Sequence, residues 1–311
     1  MIKLARVVWP LIVLGVFAVG NAQDQDFGKK FNAAVQAYND NRLSDAASGF
    51  EALAAENPGN ADVNSWLGFV YLKMDRAADA VGPLEKAASV ESPSVEVLNN
   101  LGSAYLATNQ LDKAESTFNR VAEMKPDSYE AQNALGNIHQ KMGHDDMAIS
   151  AYQKAMALRS DDPVMLNNLA VSESKLGRDG DAGEHFAAAS RLDGSNAMYK
   201  QNAGIAYARA GRYADAIPYL EGAEQNAEVS TALARSYSET GQDEKAMGAI
   251  QRATEMGASS ASLWYNLGVM QAKSGKNEEA AESYRKALSM NENDAAALTN
   301  LGLAQYYAGN Y

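Results

Sequence analysis

The chain contains no cysteine. That absence excludes disulfides, thiolate zinc sites, a cysteine nucleophile and a lipid-modified cysteine. Histidine occurs three times, as His139, His144 and His185. His139 and His144 do not have the i, i+4 spacing of a zinc-binding helix, and His185 lies far from both, so no metal site is expected. No glycine-rich phosphate loop and no nucleophile elbow appears, and no carboxylate pair stands apart from the rest. The chain is therefore expected to be neither an enzyme nor the carrier of a cofactor. Basic residues are also in deficit: 27 against 39 acidic, a net charge of -12. A chain this acidic repels nucleic acid and anionic lipid, which excludes both as primary partners. Proline is scarce, seven in 311 residues, which leaves long stretches free to be helical.

Only one long apolar run is present, from Val7 to Gly20. Lys3 and Arg6 precede it, and Gly20-Asn21-Ala22 places small residues beside a cleavage point. These are the parts of a secretory leader, expected over residues 1–22 with Gln23 as the first mature residue. The run is shorter than a membrane span requires and Pro10 interrupts it, so no stable span is expected after cleavage. A leader without an anchor points to the periplasm of a bacterium. The lack of cysteine suits an oxidising compartment of that kind.

What is abundant is repetition. A Leu-Gly or Leu-Ala pair returns every 34 residues, as Leu67-Gly68, Leu101-Gly102, Leu135-Gly136, Leu169-Ala170, then Leu233-Ala234, Leu267-Gly268 and Leu301-Gly302. Ala203-Gly204 fills the gap. An alanine follows twelve residues on, at Ala46, Ala80, Ala114, Ala148, Ala182, Ala216, Ala246 and Ala280. Four residues later comes a bulky apolar side chain, from Phe50 and Leu84 through Tyr152 to Tyr284. That spacing puts small and large on one helical face. Between the two helices stands a residue that tolerates positive φ: Asn41, Asp75 or Asn109, then Gly143, Gly177, Gly211, Gly241, Gly275 and Gly309. A period of this length predicts stacked helical hairpins. The units run 27–60, 61–94, 95–128, 129–162, 163–196, 197–226, 227–260 and 261–294, with a partial unit 295–311, all within one domain over 23–311. Unit 197–226 is short by about one helical turn, and a shortened second helix or loop is expected there. Pro83 and Pro218 fall inside second helices, and His139 and Glu173 replace the usual tyrosine. A weakened apolar contact is expected at both.

Trp264-Tyr265-Asn266-Leu267-Gly268 with Ala280, Tyr284 and Ala287, and Leu101-Gly102 with Tyr105, Ala114, Phe118 and Pro126, resemble the tetratricopeptide repeat. The resemblance covers residues 27–311. It implies an all-α, right-handed α-solenoid of about eight helix-turn-helix repeats plus a terminal helix. It also implies that first helices line a concave groove, with the residue before the Leu-Gly pair facing it. Those residues are Asn100, Asn168, Asn202, Asn266 and Asn300, with Asn133 one place earlier in its unit. An asparagine amide both donates and accepts, so a ladder of them suits the backbone of an extended peptide. The same amides could instead bond neighbouring helices and maintain the stack.

The resemblance thus points to an interaction scaffold or adaptor that holds extended segments of other proteins, in cell-envelope or secretion assembly. Asp62, Glu96, Glu130, Val164, Met198 and Glu228, at the second place of their units, argue against the family members that hold a C-terminal carboxylate. Lys73, Lys141, Lys175, Arg209 and Lys273 recur near the ends of first helices, where they suit the helix macrodipole. Trp66, Tyr265, Tyr306 and Tyr307 fall off the packing pattern and are expected to be exposed contacts. Two alternatives stay open. Residues 23–311 could be the repeat region of a larger enzyme, for example glycosyltransferase-like, with its catalytic part beyond residue 311. Or the chain could form a homo-oligomer through its C-terminal helix, where Leu298, Leu301 and Gly302 stand ready for a partner.

Overall fold

The computed structural model describes residues 22–309; the expected leader lies, but for Ala22, outside them. The chain divides into two compact units, Met1–Ser160 and Asp161–Tyr311. Among the described residues every element is an α-helix or a turn. Unit 1 holds α1 (Ala22–Asn39), α2 (Leu43–Glu56), α3 (Ala61–Lys73), α4 (Ala77–Ala87), α5 (Val95–Ala107), α6 (Leu111–Met124), α7 (Tyr129–Met142) and α8 (Asp145–Leu158). Unit 2 holds α9 (Pro163–Lys175), α10 (Asp179–Leu192), α11 (Ala197–Arg209), α12 (Tyr213–Glu221), α13 (Ala227–Glu239), α14 (Asp243–Glu255), α15 (Ala261–Lys273), α16 (Asn277–Met290) and α17 (Ala295–Tyr307).

Odd-numbered helices open each hairpin and even-numbered ones close it. From α3 onward a first helix starts on a capping side chain: Asn60, Ser94, Ser128, Asp162, Asn196, Asn226, Ser260 or Asp294 accepts a backbone N–H of the first turn. Second helices have no such cap. Their start is set by the turn before them. All nine turn residues read from the sequence are left-handed, with φ between 59° at Asn41 and 78° at Gly143. Each such turn lets the next N–H reach back to a carbonyl of the first helix, as Gln110 N–H does to Tyr105 (2.8 Å) and Arg178 N–H to Glu173 (2.9 Å).

Each second helix packs on its own first helix and, within a unit, on the next one. The eight alanines of the second helices, from Ala46 to Ala280, are wholly buried, and the bulky residues four places on are nearly so. The glycine of the Leu-Gly pair is the notch that receives them. A Cβ on Gly136 would stand 2.5 Å from the Tyr152 ring, and one on Gly102 2.7 Å from Phe118. A side chain at Gly102 or Gly136 would force the ring or its helix to shift.

Two departures in the sequence have local consequences. The four-residue deletion falls on α12, which has nine residues against fourteen in α10, and Pro218 lies within it. The deletion preserves a contact. Tyr237 donates to Glu221 sixteen residues earlier (2.5 Å), where Tyr71 and Tyr105 donate to Glu51 and Glu85 twenty residues earlier. Trp66, expected at the surface, is only 5% exposed. Phe50 stacks on it at 5.6 Å, and Phe31, Tyr38 and Phe69 meet it edge-on. Desolvation of so large a ring beside four others decides its place.

Candidate functional site

Three pairs of successive first helices pack directly on one another: α3 on α5 in unit 1, and α11 on α13 and α15 on α17 in unit 2. No pair of successive second helices does so to a comparable extent. The first helices therefore form the inner layer of each unit, and their remaining free face is the inner surface.

The six asparagines read from the sequence occupy different environments. Asn100 and Asn168 are buried, Asn133, Asn202 and Asn300 are half-buried, and Asn266 is exposed. Asn300 donates to the Tyr265 hydroxyl (3.0 Å), which ties α17 to α15. At that point the amide holds the stack.

A second row lies one residue earlier in each repeat. It runs Ser65, Asn99 and Asn133 in unit 1, and Asn167, Gln201, Thr231, Tyr265 and Thr299 in unit 2. Asn133 belongs to this row. The Oδ1 atoms of Asn99, Asn133 and Asn167 and the Oγ of Ser65 are buried without a hydrogen-bond partner among the described residues. The three asparagines are otherwise only half-buried, so part of each side chain reaches the surface. One turn further along the same faces stand Ser103 and Asn137 in unit 1, and Val171, Ile205 and Val269 in unit 2, all half-buried. The signal for this row was the i, i+4 pairing of polar residues, Asn99 with Ser103 and Asn133 with Asn137. A single residue's step along a helix turns a side chain through about 100°, which separates the two rows.

The rim at the start of the first helices is acidic in unit 1, with Asp62 and Glu96 exposed and Glu130 half-buried. In unit 2 the same place holds Val164, Met198, Glu228, Ser262 and Ala296, and Met198 is 63% exposed.

Sequence reading missed a polar network on the other side of the first helices. Tyr71 and Tyr105 donate to Glu51 and Glu85, each at 2.6 Å, while Arg76 and Lys113 sit over the same rings. Burial, then the neighbouring carboxylate, pushes the Tyr71 hydroxyl up to about 12. At His139 and Glu173, two of the places without tyrosine, the network changes. His139 is 7% exposed, its Nδ1 has no hydrogen-bond partner among the described residues, and Glu115 is 4.0 Å away. Burial holds this imidazole below its ordinary 6.5, against the pull of Glu115. Glu173, 2% exposed, meets His185 Nδ1 at 2.7 Å. That bond raises His185 above 6.5, against desolvation. Glu173 is thus buried together with a polar partner, His185.

An open depression between two turns of unit 2 is lined by Arg178, Asp179, Asp181, Arg209 and Arg212. Its arginines are occupied: Arg212 bonds Glu184 and Asp215 at 2.7 Å, and Arg209 lies 3.5 Å from Glu228. Among the described residues no group of three or more His, Cys, Asp or Glu side chains could hold a metal ion, and no helix is long and apolar enough to cross a membrane.

Three family models described as tetratricopeptide repeat match the chain: one over residues 76–138 and 207–268, one over 133–165 and one over 261–294. No curated protein matches at a significant level. Among solved structures, the chain is similar to a tetratricopeptide repeat protein from Parabacteroides merdae, with 16% identity and a TM-score of 0.51 over 90% of this chain and 99% of that one. It is similar to the C-terminal part of a TPR repeat-containing protein from Cytophaga hutchinsonii, with 13% identity and a TM-score of 0.54 over 87% and 99%. A third similar structure is YrrB, described as a TPR protein with an unusual peptide-binding site. It has 21% identity and a TM-score of 0.50 over 58% of this chain and 96% of that one. At these identities the likeness is one of fold.

Proposed function

Because the chain belongs to the tetratricopeptide-repeat family, we propose that it is a non-enzymatic interaction scaffold whose inner faces hold extended segments of partner proteins. The observation that carries this reading is the set of asparagines repeated in register, Asn99 and Asn133 in unit 1 and Asn167 in unit 2, each with an unpartnered Oδ1. A buried acceptor without a donor costs about 1–3 kcal/mol. A ligand N–H that reaches the oxygen removes that cost. A peptide backbone offers such donors at every non-proline residue, whatever its side chains. Asn202 and Asn266, half-buried and exposed, extend the polar surface of unit 2. The family fold serves many partners, so the choice among them rests on these faces.

The two units offer different chemistry to a ligand. Unit 1 sets Asp62, Glu96 and Glu130 beside Ser65, Asn99 and Asn133, three residues on and one turn along the same helices. This favours segments rich in lysine or arginine. Unit 2 sets Val171, Ile205 and Val269 along its face and favours apolar side chains. The leader read from residues 1–22 supports work in the periplasm, in assembly of the cell envelope or a secretion system. YrrB, as a TPR protein with a peptide-binding site, is consistent with the binding mode.

The test is selection of random displayed peptides on the immobilised chain, followed by titration of a selected peptide. The double variant Asn99→Ala, Asn133→Ala should keep its helical circular dichroism and bind about tenfold more weakly. Undiminished affinity would reject the amide row, and a loss of helicity would assign those residues to stacking.

A further inference from the structure

We propose that Arg235 selects an acidic side chain in the segment held by unit 2. This rests on the inner-face reading and adds to it the chemistry of one ligand residue. The two inner rows take one residue each from the eight first helices α3 to α17, and among those sixteen Arg235 alone carries a charge. It is exposed on α13, one turn along from Thr231. Its row mate on α11, which packs directly on α13, is the half-buried Ile205.

Other arginines of unit 2 are taken, as Arg212 is by Glu184 and Asp215. Arg235 makes no ion pair among the described residues. The two carboxylates of its own helix do not neutralise it. Glu228 lies 3.5 Å from Arg209. Glu239 stands one turn on, exposed, and makes no ion pair either; arginine before glutamate is the weaker order at that spacing. What Arg235 does meet is an aromatic ring. Its guanidinium lies 5.4 Å from the ring centroid of Tyr213, the first residue of α12. The ring holds the planar head without using its N–H donors, and a carboxylate can accept two of them as a fork.

Spacing sets what stands beside the acid. Helices that pack on one another, as α11 and α13 do, lie about 8–10 Å apart. An extended chain covers about 3.3 Å per residue, so Ile205 and Arg235 meet ligand residues about three places apart. The segment that fits sets an apolar side chain on Ile205 and an aspartate or glutamate on Arg235. It carries one acid rather than a run of them. Glu228 and Glu239 are exposed on the same helix and the chain's net charge is -12, a field that repels further anions. The two inner rows of unit 1 hold no cation, and with Asp62 and Glu96 exposed at the rim that unit takes the opposite charge.

The probe is a short fluorescent peptide, acetylated and amidated, with one central glutamate, a leucine about three places to either side and serine elsewhere. Its twin has glutamine at the centre. In anisotropy titrations of the full chain the glutamate form should bind about tenfold more tightly. Arg235→Gln should abolish that preference by weakening the glutamate peptide alone, with helicity unchanged. Arg252→Gln, which removes an exposed cation from α14, should keep it. Arg235→Glu should instead prefer a peptide with central lysine. Equal binding of the two peptides by the parent would overturn the proposal and leave the inner-face reading in place; binding of neither would overturn both for unit 2. A preference that survives Arg235→Gln, or that falls equally in Arg252→Gln, would also overturn it. So would a glutamine peptide with a free C-terminal carboxylate that binds as tightly as the glutamate form, because a chain end would then be what Arg235 reads.

Discussion

Unit 1 and unit 2 treat one structural position in opposite ways. In unit 1 the tyrosine of the first helix gives way to His139, an imidazole whose pKa burial lowers and whose Nδ1 has no hydrogen-bond partner among the described residues. In unit 2 it gives way to Glu173, a buried carboxyl group that bonds to His185. Tyr71, Tyr105 and Tyr237 show what both replace: a ring in the core with its hydroxyl on a carboxylate of the preceding second helix. The position demands a polar tip on a buried body. A tyrosine meets that demand cheaply, an isolated histidine meets half of it, and a glutamate meets it only as one of a pair. The inner faces differ as well, acidic and amide-rich in unit 1 and more apolar in unit 2, so one scaffold presents two surfaces.

The largest effect should come from breaking the pair in unit 2. His185→Leu strands the Glu173 carboxyl group and should cost up to about 3–5 kcal/mol in chemical denaturation. Adding Glu173→Tyr to His185→Leu should recover most of it; a double variant no more stable than the single one would show that the position does not behave as the repeat predicts. Next comes the notch. Gly136→Ala drives a methyl against Tyr152 and should cost about 1–3 kcal/mol, whereas Gly302→Ala, in open space, should gain up to about 1 kcal/mol from helix propensity. Equal effects at the two sites would erase the distinction between a filled and an open notch. Tyr105→Phe should cost about 1 kcal/mol, a modest loss because Glu85 is partly solvated.

The smallest effect is one of sign. The folded pKa of His185 lies above 6.5, so its contribution is fully present below the unfolded value and fades as pH rises through the folded one. The folded pKa of His139 lies below 6.5, so stability is present above the unfolded value and fades as pH falls through the folded one. His185→Gln should therefore remove a loss on the alkaline side, and His139→Gln a loss on the acid side. Denaturation of both variants from about pH 5 to about pH 8 checks the two slopes; slopes of the same sign would contradict the contrast.

Much of the hairpin was legible because its constraints are local and repeated. Ala46 through Ala280, the bulky residues four places on and the nine left-handed turn residues each follow from sterics within one hairpin, and repetition turns a weak signal into a strong one. What was not legible depends on neighbours distant in sequence. Trp66 reads as a stray aromatic until Phe31 and Phe50 come to it from other helices. Glu173 reads as a defect until His185 is set beside it. The free amide row reads as its neighbour because a helix turns so far in one residue that only the packing of α3 on α5 tells which side remains open. The capping residues from Asn60 to Asp294 were legible in principle, since each precedes an apolar run at the repeat period.

Hydrogen exchange tests the central claim most directly, with and without a saturating selected peptide. Binding at the inner faces predicts that added protection concentrates on the first helices, on α5 and α7 for a basic peptide held by unit 1. Protection confined to second helices such as α6 and α8, with the first helices unchanged, would contradict it.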